Sequence, residues 1–98
     1  MALIKEIVLD NGITVNYHRV VSVMNITNQS SIIEIASYTS KAKREEEKAA
    51  ILAGTEMDVF IKAERPSIAY DKDLDVDGAY AYLKTLEKFA GYTDDLDE

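Results

Sequence analysis

The sequence predicts an α+β fold, a mostly antiparallel sheet of about four strands in the order β-β-β-α-β-α with a C-terminal helix packed on one face. Three observations predict it. Alternating apolar stretches flank Asp10-Asn11-Gly12, another follows a polar turn at Asn25–Gln29, and an amphipathic stretch of helical period lies between Asp77 and Ala90.

A chain of 98 residues has room for one core, and a domain of this size buries only about 60–65% of its unfolded surface. We therefore expect a single domain over residues 1–92 and a flexible acidic tail over 93–98. Hydrophobic residues at 47% and charged residues at 30% are ordinary globular values and exclude wholesale disorder. The absence of cysteine excludes a disulfide framework, a thiolate metal centre and a thiol nucleophile. The net charge of −7 argues against direct nucleic-acid binding, which needs clustered cations. Residues 71–98 hold 9 acids and 3 bases, whereas 1–70 are nearly balanced at 9 and 8, so the acidity is C-terminal.

The first residues reach Lys5 and Glu6 before any apolar run attains signal-peptide length, which predicts a cytoplasmic protein. From Leu3 to Leu9 apolar residues occupy both faces of a strand, a pattern expected when both are covered. Asn11-Gly12 predicts a type I′ hairpin turn. A long second strand runs from Ile13 to Ile26. Arg19 falls on its apolar side, and a bulge near His18–Val20 would resolve that parity conflict. A turn at Asn25–Gln29 leads to a third strand over Ser31–Thr39; the two glycosylation sequons in this region read as chance matches.

Helix formers fill Lys41–Ala53, with Thr39 or Ser40 as N-cap and Gly54 as the stop. The thin apolar face of Ala42, Ala49, Leu52 and Ala53 predicts a surface helix whose solvated side carries Lys41, Lys43, Arg44, Glu47 and Lys48. Met57, Val59, Ile61 and Ala63 alternate as a fourth strand ended by Pro66, with Ile68–Tyr70 as an edge extension. The last helix is placed at Asp77–Ala90, capped by Asp77, packing Ala79, Tyr82, Leu83, Leu86 and Ala90, and stopped by Gly91.

Catalytic constellations are absent from the pattern. His18 is the only histidine, no nucleophile elbow surrounds any serine, and the glycines are isolated, so we expect no enzyme, no cofactor and no metal. Asp73-x-Asp75-x-Asp77-Gly78 matches the first half of a calcium loop, but Lys84 stands where the bidentate glutamate belongs, and the segment reads as a turn into a helix cap. Tyr70 and Tyr80 belong to a tyrosine-rich last third suited to a contact surface. Ile4, Val8 and Phe60 lie opposite the expected core and are candidates for contact with a second copy or a protein partner. His18 and Arg19 complete the expected interaction residues on the second strand.

The strings Gly12-Ile13-Thr14-Val15-Asn16-Tyr17-His18-Arg19-Val20, Ser31-Ile32-Ile33-Glu34-Ile35-Ala36-Ser37-Tyr38 and Ala79-Tyr80-Ala81-Tyr82-Leu83-Lys84 resemble small uncharacterised proteins of tailed phages and prophages of low-GC Gram-positive bacteria. The resemblance carries no catalytic residue. It implies a viral origin, residence in the host cytoplasm during infection or in the virion, and a structural role in tail, baseplate or fibre. The expected function is a non-enzymatic structural or interaction module that self-associates as a homo-oligomer or binds a virion protein. The alternative is a phage-encoded inhibitor of a host nucleic-acid-binding or defence protein. That inhibitor would act as an acidic DNA mimic, or as a nucleotide sponge using His18, Arg19, Arg65 and tyrosines.

Overall fold

The computed structural model describes residues 1–54 and 60–96. It is an α+β fold with a mostly antiparallel sheet. The strands are β1 (Ala2–Val8), β2 (Thr14–Ile26), β3 (Ser30–Tyr38), β4 (Lys62–Glu64), β5 (Ser67–Ile68) and β6 (Thr93–Asp95). The helices are α1 (Lys41–Leu52) and α2 (Val76–Leu83), followed by a 3₁₀ turn at Glu87–Phe89. The sheet order is β4-β3-β2-β1-β6, with β5 beside β4 on the outer edge of β3. Six short and long strands thus replace the four expected, because the sequence after α1 and after the last helix turn contributes edge pieces too short to show a period.

The turn after β1 differs from the expected type. Gly12 N–H donates to the Leu9 carbonyl and Leu9 N–H to the Ile13 carbonyl, and only Gly12 has positive φ, at 85°. This is a three-residue loop in which glycine takes the left-handed position. The Asn11 side chain accepts the Ile13 N–H, leaving Asn11 no need of positive φ.

Two bulges set the register of β2. Lys5 and Glu6 together face Asn16, between the pairs Ile4 with Tyr17 and Ile7 with Val15. Val21 is the extra residue between the pairs Val20 with Ile35 and Ser22 with Glu34, next to the bulge position expected from parity. Tyr17 and His18 consequently point to opposite faces, each into a separate core.

The first face is closed by α2 and the 3₁₀ turn. Leu3, Val20, Ile33, Ile35, Ala79, Tyr80, Leu83 and Phe89 form its buried core. Asp75, not Asp77, caps α2, its Oδ1 accepting the Gly78 N–H at 2.7 Å. The helix stops at Leu83, short of the expected Ala90. Thr85 Oγ donates to the Tyr82 carbonyl and the Leu86 N–H to that of Leu83, tightening the last turn. Tyr80 is therefore the core tyrosine, while Tyr82 is half-buried and Ala90 exposed.

The second face holds Ala2, Tyr17, Ala36 and Tyr38, with Ile4 packed on them. Helix α1 lies over part of it in the reverse of the expected orientation: Arg44 and Glu47 are buried, and Leu52 is 89% exposed. Ser40 occupies the N-cap without a side-chain hydrogen bond, and Gly54, at φ 76°, follows the helix as expected. Of the expected strand Met57–Ala63, Met57 and Val59 lie outside the described residues, and pairing begins at Lys62. Thr93–Asp95, expected in a flexible tail, pairs with β1 as β6, Asp95 opposite Ala2. The alternation that marks a strand is invisible in Thr93-Asp94-Asp95, because its partner is backbone and its buried member is a carboxylate.

Where the pairing of β1 with β2 ends at Leu3 and His18, the Tyr80 hydroxyl takes over. It accepts the Val20 N–H at 2.9 Å and donates to the Met1 carbonyl. A side chain from α2 thus satisfies two backbone groups at the end of a strand pair. Tyr80→Phe is expected to lower unfolding free energy by about 1–3 kcal/mol through those groups, read as a lower denaturant midpoint with unchanged slope; an unchanged midpoint would show that water replaces the hydroxyl.

Candidate interaction surface

Helix α1 is held by charge and hydroxyl, not by apolar area. The Glu47 carboxylate accepts the Tyr38 hydroxyl at 2.8 Å and the Arg44 guanidinium, with the Arg19 guanidinium at 3.8 Å. Arg19 Nε donates to the Tyr38 oxygen at 3.0 Å. Burial pushes the Tyr38 hydroxyl above its ordinary pKa, with the Arg19 hydrogen bond opposing and Glu47 reinforcing the shift, so it remains a donor at neutral pH. Nearby, the Tyr17 hydroxyl donates to Asp95 at 2.8 Å and Lys41 pairs with the same carboxylate at 3.0 Å. Tyr17 and Tyr38 meet edge to face with ring centres 6.2 Å apart. Removing one member of such a buried set exposes the others' desolvation cost. Glu47→Ala is expected to destabilise the fold by about 3 kcal/mol, measured by chemical denaturation; a loss under about 0.5 kcal/mol would place the pair in the class of solvated surface ion pairs.

His18 is 1% exposed, which corrects its expected place on an open strand surface. Its Nε2 lies 2.7 Å from the Lys5 carbonyl, which can only accept, so this nitrogen carries the proton. Nδ1 then accepts the Ser37 hydroxyl at 2.8 Å. The ring stands edge-on to Phe89 at 5.1 Å. His18 thus satisfies the carbonyl of a bulge residue inside the first core. The adjoining cavity is about 50 Å³, with Lys62, Glu64 and Lys88 in its lining, room for about one water or two. Burial pushes the Glu64 carboxyl up, but hydrogen bonds from Lys88 and Lys62 outweigh it and hold the carboxyl below its ordinary range.

Burial also lowers the His18 pKa, against the Lys5 carbonyl and Glu64 and with Lys88. The unfolded chain therefore binds this proton more tightly than the folded one. The contribution to stability is complete above about pH 6.5 and is lost as pH falls through that value toward the folded pKa. Urea midpoints between pH 7.5 and 5 are expected to fall with a single-proton slope, at most about 1.4 kcal/mol per pH unit, that His18→Gln removes. An equal slope in the variant would assign the acid sensitivity elsewhere.

Past the end of α1 no described residue covers the second face of the sheet. One groove, of about 210 Å³, runs between α1 and the sheet and is lined by Val21, Ala36, Tyr38, Ile51 and Phe60 among others. A second, of about 310 Å³, is lined by Ser22, Met24, Ile32, Glu34 and Arg65. Glu34 belongs to both. Met24 is 58% exposed, Ile51 60%, Val21 40% and Phe60 38%. Glu34 is fixed between the Ser22 hydroxyl at 3.0 Å and Arg65 at 3.3 Å. This is a largely apolar surface that carries the Glu34–Arg65 pair and borders the Arg19–Glu47 pair.

The structure brings Phe60 and Arg19 to this surface, Arg19 at the border of the α1 polar set. It does not bring the others there. Ile4 packs on the second core, Val8 is 66% exposed beside the first turn, Tyr70 is half-buried after β5, and Tyr80 is 2% exposed within the first core. Of Val21, Met24, Ile32 and Ile51, Met24 is hidden from the periodicity because the residues after Val21 change faces at the bulge, and Ile51 because it sits on the reversed helix. Their signal was the uncharged run Val20-Val21-Ser22-Val23-Met24-Asn25-Ile26, with no lysine or proline to guard it. Among the described residues no group of three or more histidine, cysteine or acidic side chains could hold a metal ion, and no helix is long and apolar enough to cross a membrane. The chain matches no known family model, no curated protein and no solved structure.

Proposed function

We propose that this chain is a non-enzymatic structural or interaction module of phage origin, which docks on a virion protein or on itself through the open part of its second sheet face. The observation that carries the reading is the exposed apolar surface formed by Val21, Met24, Ile51 and Phe60. Such a surface costs solubility unless something covers it. The chemistry-bearing side chains, by contrast, are committed to the fold: both His18 nitrogens have partners, and Glu47 and Asp95 are buried acceptors.

The inhibitor reading draws support from one observation. The acidic turn is internally organised, Asp71 Oδ1 accepting the Asp73 N–H at 3.0 Å and Asp75 capping α2, so some carboxylates hold fixed positions as a DNA mimic needs. The nucleotide sponge draws none from His18, which is buried.

Purified particles and the soluble fraction of a phage lysate separate the two readings. Structural docking predicts the chain in the particle fraction, and predicts that Met24→Glu leaves it in the soluble fraction with its circular dichroism unchanged. Recovery instead with a basic host protein, released by high salt, would replace this reading with mimicry.

A further inference from the structure

We propose that the occupant of the open second face is a second copy of this chain, packed face to face across a two-fold axis, with Arg65 of each copy on Glu34 of the other. The proposal rests on the interaction reading above and specifies its partner.

A two-fold interface brings one patch against itself, so the patch must be complementary to its own image. This one is. Apart from Arg19 and Glu47, which meet each other where the patch borders α1, and the Ser22 hydroxyl, its polar members are one carboxylate and one guanidinium, already 3.3 Å apart, and the rest is apolar. Rotation of a copy about an axis through the patch sets guanidinium against carboxylate twice. The two partners are prepared differently. The Ser22 hydroxyl holds the second oxygen of Glu34, whose side chain is 28% exposed, while the side chain of Arg65 is 72% exposed. Arg65 can therefore exchange one carboxylate for its equivalent with little change in the fold, gaining burial.

Net charge selects the same face. Two chains of −7 repel one another wherever their acids meet. Half of the C-terminal excess, the turn Asp71–Asp77, belongs to the opposite side of the sheet: Leu74 packs on the first core and Asp75 caps α2 there. Pairing through the second face keeps those two turns apart with two sheets between them. Sheets that pack in this way interdigitate side chains from both inner faces, and Met24, Ile32 and Phe60 supply the apolar part.

Analytical ultracentrifugation of the wild-type chain at tens of micromolar is expected to give twice the 11.0 kDa chain mass. Arg65→Glu and Glu34→Arg are each expected to sediment as monomers, since each sets like charges together twice, and an equimolar mixture of the two variants is expected to regain the dimer. Circular dichroism, unchanged in both, shows that the substitutions spare the fold. A monomeric wild type, a dimer that survives both single substitutions, or a mixture that stays monomeric would overturn the proposal. A monomeric wild type that still enters phage particles, and loses that property with Met24→Glu, would overturn self-pairing while leaving the interaction reading intact.

Discussion

The hydrogen bond from the Tyr38 hydroxyl to the Glu47 carboxylate decides how the second face is built. A carboxylate taken out of water must be met by donors. Once Tyr38 has claimed it, Arg44 and Arg19 follow, the first from the next turn of α1 and the second from β2. These contacts orient α1 with its polar stripe inward, which is why Leu52 and Ile51 face solvent. The same set seals the tyrosine pair beneath, and no described residue covers the sheet beyond α1. Among the described residues no buried side-chain nitrogen or oxygen lacks a partner, so this polar layer is complete as a layer.

The two faces of the sheet therefore hold in different ways. The first is an apolar core, Leu3, Ile33, Ile35 and Leu83 with Phe89, inside which the His18 and Tyr80 rings are held by hydrogen bonds. The second is a small tyrosine and alanine cluster under a polar lid. β2 joins them, since its adjacent residues Tyr17 and His18 reach into one each. The bulge at Lys5–Glu6 belongs to the same arrangement: it offers the Lys5 carbonyl to His18, and so the irregularity in β1 is fixed by a side chain of its neighbour.

The α+β class, the first three strands, both helix starts to within two residues and the bulge in β2 were legible in the sequence, because each writes a period or a turn residue into consecutive positions. The face of α1 was not. Period alone separates apolar from polar positions and assigns the apolar side inward, and Ala42, Ala49 and Leu52 satisfied that rule while the sheet below held hydroxyl donors that wanted Glu47. The end of α2 was lost to Thr85, whose hydroxyl competes for a backbone carbonyl, and β6 to its acidic composition. For the candidate site, Phe60 lines the groove beside α1, whereas His18 and Tyr80 were placed on a surface they do not reach. Both are polar rings buried by specific partners, and a partner distant in sequence leaves no local trace.

The pairing of β6 with β1 joins segments from near the two ends of the chain. During synthesis β2 and β3 can zip as soon as their short turn has emerged, since each contact lies close by in sequence. β1 has no such neighbour on its outer side until residues 93–95 arrive. A growing chain therefore carries that bare strand edge until residues 93–95 have emerged, and the unpaired stretch includes Leu3 and Ile4. The two-residue irregularity at Lys5–Glu6, charged and out of register, stands in the middle of that edge and is suited to discourage other strands from adding there in the interval.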